Sequence, residues 1–195
     1  MVSSPILVID LEATCWETVN PAGQPQSIES MEIIEVGCAL ATRQGDLLDS
    51  RSFLVRPTRF PKLSDFCRNL TGITQEMVDQ APAFPEAVAA FNDWLGKPPD
   101  AFVWCSWGNY DRRHIAEQCR QEGVAVTVMD YPHLNLKRIW RRTTGQKRKN
   151  GLDNAMAFHG LDFEGRLHRG VDDARNAVRL LPYMDWSLES ELLET

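Results

Sequence analysis

The apolar run Ile6-Leu7-Val8-Ile9 leads directly into Asp10-Leu11-Glu12, and this junction constrains the chain more than any other stretch. Consecutive apolar residues of this kind predict a buried strand. Residues two apart on a strand point to the same side, so Asp10 and Glu12 face one pocket at its end. Asp111 follows in Trp107-Gly108-Asn109-Tyr110-Asp111, then His168 and Asp173 in His168-Arg169-Gly170-Val171-Asp172-Asp173. The order Asp-x-Glu, Asp, His-x-x-x-x-Asp can assemble a two-metal site with a base beside it. Clustered carboxylates repel one another without cations, and magnesium is the hard, oxygen-seeking ion that suits them.

Around that strand, strands come first and helices later. Residues 5–10, 32–41 and 47–55 read as strands, the second on Ile33, Ile34 and Val36 to Leu40. Residues 17–30 form a polar loop with Pro21, Gly23 and Pro25, and a loop of that length in a compact domain is commonly functional. Short helices are expected at 64–69 and from a Thr74 cap. A firmer one at 84–95 has Pro85 near its start and Val88, Phe91, Trp94 and Leu95 on one face. Residues 101–106 read as a fourth strand, 110–122 as a helix between an Asn109 cap and a Gly123 stop, and 124–129 as a fifth strand. Helices at 136–142, 151–159 and 173–184 complete the set. This succession indicates one mixed α/β domain over residues 1–184. In 185–195 the acids Asp185, Glu189, Glu191 and Glu194 read as a solvated tail.

The chain has 195 residues, 43% hydrophobic and 25% charged, which is enough to bury a core and is a globular profile. No apolar run is long enough to span a membrane and no basic-then-apolar leader opens the sequence, so a cytoplasmic protein with no membrane partner is expected. Five cysteines, with no Cys-x-x-Cys pair, argue against a zinc site or a disulfide framework. A net charge of −6 disfavours a partner held by charge alone. Yet Lys137, Arg138, Arg141, Arg142, Lys147, Arg148 and Lys149 stand together with no acid among them. Such a run is often only a solvated face, but beside a carboxylate cluster its economical use is to hold a phosphate backbone.

Each candidate has an ordinary explanation when taken alone. Asp10 and Glu12 can be a solvated strand end, and Asp111 an acid favoured by the first turn of a helix. One of Asp172 and Asp173 can be a helix cap, and His168 an exposed loop residue. Those explanations must all coincide in one order and setting, which makes the joint pattern far more specific than its parts. His114, one turn after Asp111, and His159, beside Gly160, need no catalytic role.

With those residues in place, the chain resembles the DEDDh 3′–5′ exonucleases of the ribonuclease H-like superfamily, most nearly their Eri-type branch, which acts on RNA. The resemblance covers roughly residues 5 to 182. It extends to Asp10-Leu11-Glu12-Ala13-Thr14-Cys15-Trp16, Met31-Glu32-Ile33-Ile34-Glu35, Asp65-Phe66-Cys67, Leu70-Thr71-Gly72-Ile73-Thr74 and Asn135-Leu136-Lys137. Where the sister branch carries a tyrosine four residues before the last aspartate, this chain has Arg169, so the histidine form is indicated. The resemblance implies a single-domain, five-stranded mixed sheet flanked by α-helices. It also implies two Mg²⁺ ions, or Mn²⁺, with Asp10 bridging both, Glu12 and Asp173 on the nucleophile side, and Asp111 supporting the second. His168 would be the general base, on a flexible loop that swings in with substrate. Thr14 and Met31 would line the 3′-terminal pocket, Leu70 and Ile73 would stack or wedge bases, and Lys147, Arg148 and Lys149 would hold phosphates. Trp16, Trp107 and Trp140 could offer a stacking surface, although such residues are more often core.

The implied reaction releases nucleoside 5′-monophosphates from the 3′ end of single-stranded RNA or RNA overhangs, with RNA favoured over DNA. A DNA or short-oligonucleotide exonuclease would share all five groups. A catalytically silent RNA-binding module would be expected to have lost one of them, and none is missing. Neither the oligomeric state nor the physiological substrate is legible.

Overall fold

A computed structural model describes residues 5–148 and 150–194 of the chain. At its centre is a mixed sheet. Strands β1 (Ile6–Ala13), β2 (Ile33–Ala41) and β3 (Leu47–Leu54) run antiparallel in succession. β4 (Val103–Ser106) lies parallel on the other side of β1, and β5 (His133–Asn135) lies parallel to β4. The expected five-stranded sheet is therefore present, and a two-residue strand, β6 (Leu193–Glu194), extends it beyond β5.

Both faces of the sheet are covered, which is why β1 reads as an unbroken apolar run instead of an alternating one. Ile6 and Val8 pack with Ala174, Ala177 and Val178 of α7 (Gly170–Leu180), and with residues of α5 (Leu136–Thr144) and α6 (Leu152–Phe158). Leu7, Ile9 and Leu11 pack with Val88 and Phe91 of α3 (Phe84–Leu95) and Ile115 of α4 (Tyr110–Glu122). A third cluster joins Ile34 to α1 (Asp65–Thr71) and α2 (Gln75–Asp79).

Two sequence expectations are corrected. Residues 124–129 are not the fifth strand. The Asn92 side chain accepts from the Thr127 amide at 2.8 Å and donates to the Ala125 carbonyl at 3.1 Å, turning the chain into a 3₁₀ helix at Thr127–Asp130. The alternating valines that mimic a strand instead place Val126 and Val128 in the core on the α3 side. The segment 185–194 is not a solvated end either. It forms a 3₁₀ turn and α8 (Glu189–Leu192) before β6, buries Leu192, and ties Glu189 to Arg43 at 2.5 Å and Glu191 to Arg142 at 3.0 Å. Leu192 buries the apolar side of a short helix whose acids meet arginines, a pattern too brief to be seen as a periodicity.

α7 begins at Gly170, three residues earlier than expected, so Asp173 sits inside the helix and is not its cap. Its first turn lies directly on the sheet. A Cβ on Gly37 of β2 would fall 2.0 Å from the Gly170 carbonyl carbon, and one on Gly170 would fall 2.8 Å from the Asp10 carbonyl oxygen. Two glycines facing each other are what permit this approach. Replacing Gly37 by alanine should therefore lift α7 off β1. Backbone cannot move aside as a side-chain tip can, so we expect a loss of about 3 kcal/mol, a fall on the order of 10 °C in Tm. Thermal denaturation of G37A checks this, and an unchanged Tm would contradict the packing described.

Candidate active site

The register of β1 on β2 sets Asp10 opposite Gly37 and Glu12 opposite Glu35. Paired residues share a face, so both acids point to the side covered by α7. One turn into that helix Asp173 meets them. Asp10, Glu12 and Asp173 each offer a carboxylate oxygen, and these lie within 4.8 Å of one another. The Asp173 carboxylate also accepts from the Arg169 amide at 2.9 Å and from the His168 amide, which ties it to the turn before α7.

Asp111 comes from the start of α4. β1 outruns its pairing with β4, and the Leu11 amide left over donates to the Asp111 Oδ1 at 3.1 Å. Asp111 is outside the tight group of three, but its charge is felt by Asp10.

Burial and mutual repulsion dominate the electrostatics. Desolvation, then the charges of Asp111, Asp173, Glu12 and Glu35, hold the Asp10 carboxyl well above its usual range. Desolvation followed by Asp173 and Glu35 pushes Glu12 up to about 9. Burial raises Asp173 to about 7 against the Arg169 and His168 amides. Burial likewise raises Asp111 to about 6, opposed by the Leu11 amide, the Ser106 hydroxyl and the Lys137 charge. An all-oxygen donor set with more negative charge than it can hold is one that a hard divalent cation fits.

His168 is exposed in the turn before α7, with a left-handed backbone (φ 61°). The residues on either side of it are anchored. Arg166 donates to the Asn69 carbonyl at 2.7 Å and its amide to Asp172 at 3.0 Å, while Arg169 pairs with Glu35 at 3.1 Å.

The remaining candidates are scattered. Thr14 is buried, its hydroxyl accepting from the Glu32 amide at 2.9 Å. Met31 is half-buried, and its carbonyl accepts from Arg59 at 2.8 Å. Leu70 is half-buried, whereas Ile73 is fully buried with Ile34, Leu63 and Cys67 and offers no surface to a base. Lys147 and Arg148 are exposed, and Lys149 lies outside the described residues. Trp140 is in the core and donates to His159 at 3.0 Å, Trp107 donates to the Asn150 carbonyl at 2.9 Å, and Trp16 packs edge-on against Phe60, so each has a structural use. His114 is buried beside Tyr110 and the Met31 carbonyl, and burial lowers it to about 4.

Two neighbours of the site belong to stretches that carry the resemblance but have no role assigned from the sequence. Lys137, which is nearest Gly108 and acts on Asp111, also stands in the basic run. Glu35 is fully buried, an acid between Ile34 and Val36 in an otherwise apolar strand.

A carboxylate raised in the folded state favours folding while neutral. That contribution is complete below about pH 4 and is lost as the pH rises through about 6, 7 and 9 for Asp111, Asp173 and Glu12. EDTA-treated protein should thus lose Tm between pH 5 and pH 9, and the loss should shrink in D10N. Millimolar Mg²⁺ should raise Tm at pH 8 and have little effect at pH 5, where protons compete for the ligands. Calorimetric scans across that range check this, and no Mg²⁺ shift at pH 8 would overturn the metal site.

Comparison with known proteins places this geometry. Residues 7–181 match the family described as Exonuclease (RNase T). The chain is 30% identical over 199 residues to ERI1 exoribonuclease 2 of Danio rerio, covering 92% of this chain and 34% of that protein. It is 30% identical over 206 residues to 3′-5′ exonuclease eri1 of Schizosaccharomyces pombe, covering 92% of this chain and 67% of that one. The chain thus spans from about a third to about two thirds of these relatives' length. The crystallographic nuclease domain of 3′hExo, a DEDDh family member bound to rAMP, superimposes with a TM-score of 0.82 at 27% identity, covering 99% of this chain and 97% of that one. With its acids gathered at the end of β1 and along α7, the chain belongs to the exonuclease family, in the DEDDh, Eri-type branch.

Proposed function

We propose that this chain is a metal-dependent 3′–5′ exonuclease that removes nucleoside 5′-monophosphates from single-stranded RNA or RNA 3′ overhangs. The observation that carries the reading is the convergence of Asp10, Glu12 and Asp173 within 4.8 Å, each held above its ordinary pKa. Relatives named as exoribonucleases, a related domain bound to rAMP, and another described in 3′-end recognition of a histone mRNA stem-loop support RNA over DNA.

Asp10, Glu12 and Asp173 would hold two Mg²⁺ ions, or Mn²⁺, with Asp111 supporting one of them. Bound there, the ions supply Lewis-acid stabilisation of the attacking and leaving oxygens of an in-line displacement. His168 would take the proton from the attacking water, a general-base task for which an imidazole nitrogen is suited. Its turn is held by the contacts of Arg166 and Arg169, and the exposed side chain is free to approach the site when substrate binds. Lys137 at the rim of the site offers a positive charge to a phosphate. The half-buried Leu70 and Met31 would meet the terminal nucleotides with the surface they leave open. Beyond the site, Arg138, Arg141, Arg142 and Lys147 surround a hollow of about 330 Å³ along α5, in a position to hold the strand's backbone.

Matched RNA and DNA oligomers labelled at the 5′ end test the reading. Wild type with Mg²⁺ should shorten RNA stepwise from the 3′ end and degrade DNA more slowly. D10N and D173N should abolish hydrolysis while remaining folded, because they remove ligands and relieve repulsion. H168A should lower kcat about 10²–10⁴-fold and leave metal binding intact. Near-normal turnover of D10N at saturating Mg²⁺ would sink the assignment, and binding of RNA without cleavage would favour a silent binding module.

Neutralising Lys147, Arg148 and Lys149 together should lower kcat/KM for a long RNA and spare a dinucleotide. For every phosphate no longer held by a cation, the log–log salt dependence should also flatten by about 0.7. Turnover at saturation should hardly change, since that grip exists before and during the chemical step. Identical salt dependence of wild type and triple variant on the long strand would leave this segment as a solvated face.

A further inference from the structure

We infer that Glu35 is a positioning residue: through Arg169 and the Gly170 amide it fixes the start of α7, and so sets His168 and Asp173 against Asp10 and Glu12. The inference rests on the nuclease reading for its kinetic consequence, though not for its geometry.

Glu35 is fully buried near the start of β2, opposite Glu12. A carboxylate is kept in such a place only when its oxygens are fully engaged. Oε1 accepts from the Ser52 hydroxyl at 2.5 Å and from the Arg169 Nε at 3.2 Å, and Oε2 accepts from the Gly170 amide at 3.0 Å. Those oxygens are therefore occupied, and Glu35 is absent from the group able to share an ion. Its partners, however, are the two residues through which the chain passes from His168 into α7.

That passage has no cap of its own. Arg169 is the residue before the helix and its side chain makes no cap hydrogen bond, so the Gly170 amide is one of the donors a helix start leaves unpaired. Glu35 satisfies it from the sheet, and its negative charge faces the positive end of the helix. The turn it secures is a demanding one, since His168 has left-handed backbone that its neighbours must hold in place. Asp173 closes the same turn from the other side by accepting from the Arg169 and His168 amides. Ser52 on β3 orients Glu35 in turn. A line of contacts thus runs from β3 through Glu35 and Arg169 to the proposed base and one proposed metal ligand.

Glu35→Gln keeps the size and one acceptor but turns an NH₂ toward Arg169 or the Gly170 amide. In metal-free protein, amide hydrogen exchange at Gly170 and Asp173 should speed up about tenfold or more. On RNA, kcat should fall about 10–10²-fold, the scale of a small misplacement, with KM within about threefold of wild type. A fall in kcat with KM held is not what a change in folded fraction alone would produce once rates are normalised to folded protein. Arg169→Gln should match it, and the double variant should be no worse than either single one. Additive losses, or a kcat loss accounted for by the unfolded fraction with Gly170 exchange unchanged, would overturn the inference. If wild type cleaved neither RNA nor DNA, the nuclease reading would fail, while Gly170 exchange and calorimetric Mn²⁺ affinity of E35Q would still decide whether the clamp exists.

Discussion

The first turn of α7 rests on the β1–β2 pair through bare backbone, and the site depends on that contact. Gly37 and Gly170 meet with no room for a Cβ on either, so a helix and a sheet come closer than side chains usually allow. Asp173 is brought to the end of β1 by this approach, and the turn carrying His168 is brought with it. A normal spacing of sheet and helix would leave the third carboxylate out of reach of the other two.

Closeness has an electrostatic cost, which the surroundings distribute. Asp10, Glu12 and Asp173 crowd into a partly dry pocket, and each is held toward its neutral form. Asp111 is eased by the Leu11 amide and Lys137, and Glu35 by Arg169, Ser52 and the start of α7. Asp173 is eased too, by the Arg169 and His168 amides, and still stays raised to about 7. Glu35 differs from these acids in having both oxygens engaged, and it stands outside the group able to share an ion.

Much of this is legible in the sequence because it follows from short-range pattern. The apolar run before Asp10, the x between Asp10 and Glu12, and the Phe84–Leu95 face translate directly into β1 and α3. The start of α7 is not, because the acceptor of its Gly170 amide is Glu35, distant in sequence, where local pattern points to an Asp or Ser. Residues 124–129 mislead because alternating valines can serve a core from an extended loop as well as from a strand. Of the expected substrate contacts, Ile73 belongs to a motif whose hydrophobic member turns inward, and no periodicity in so short a turn reveals which way it faces. The partners of Arg166 and Arg169 beside His168 are not legible either, because Asn69 and Glu35 lie far along the chain.

The docking of Leu193–Glu194 on β5 bears on self-association. A parallel β4–β5 pair that ended at β5 would leave a row of unpaired backbone donors and acceptors, a template for another chain's strand. The short β6 occupies part of that row, and the ion pairs of Glu189 and Glu191 hold it there. The opposite edge, β3, is guarded differently, by the charges of Asp49 and Arg51 beside exposed Leu47 and Leu48. One border of the sheet is thus closed by pairing and the other by charge, so loss of the last residues would turn the first into an adhesive edge while leaving the acids at the end of β1 untouched.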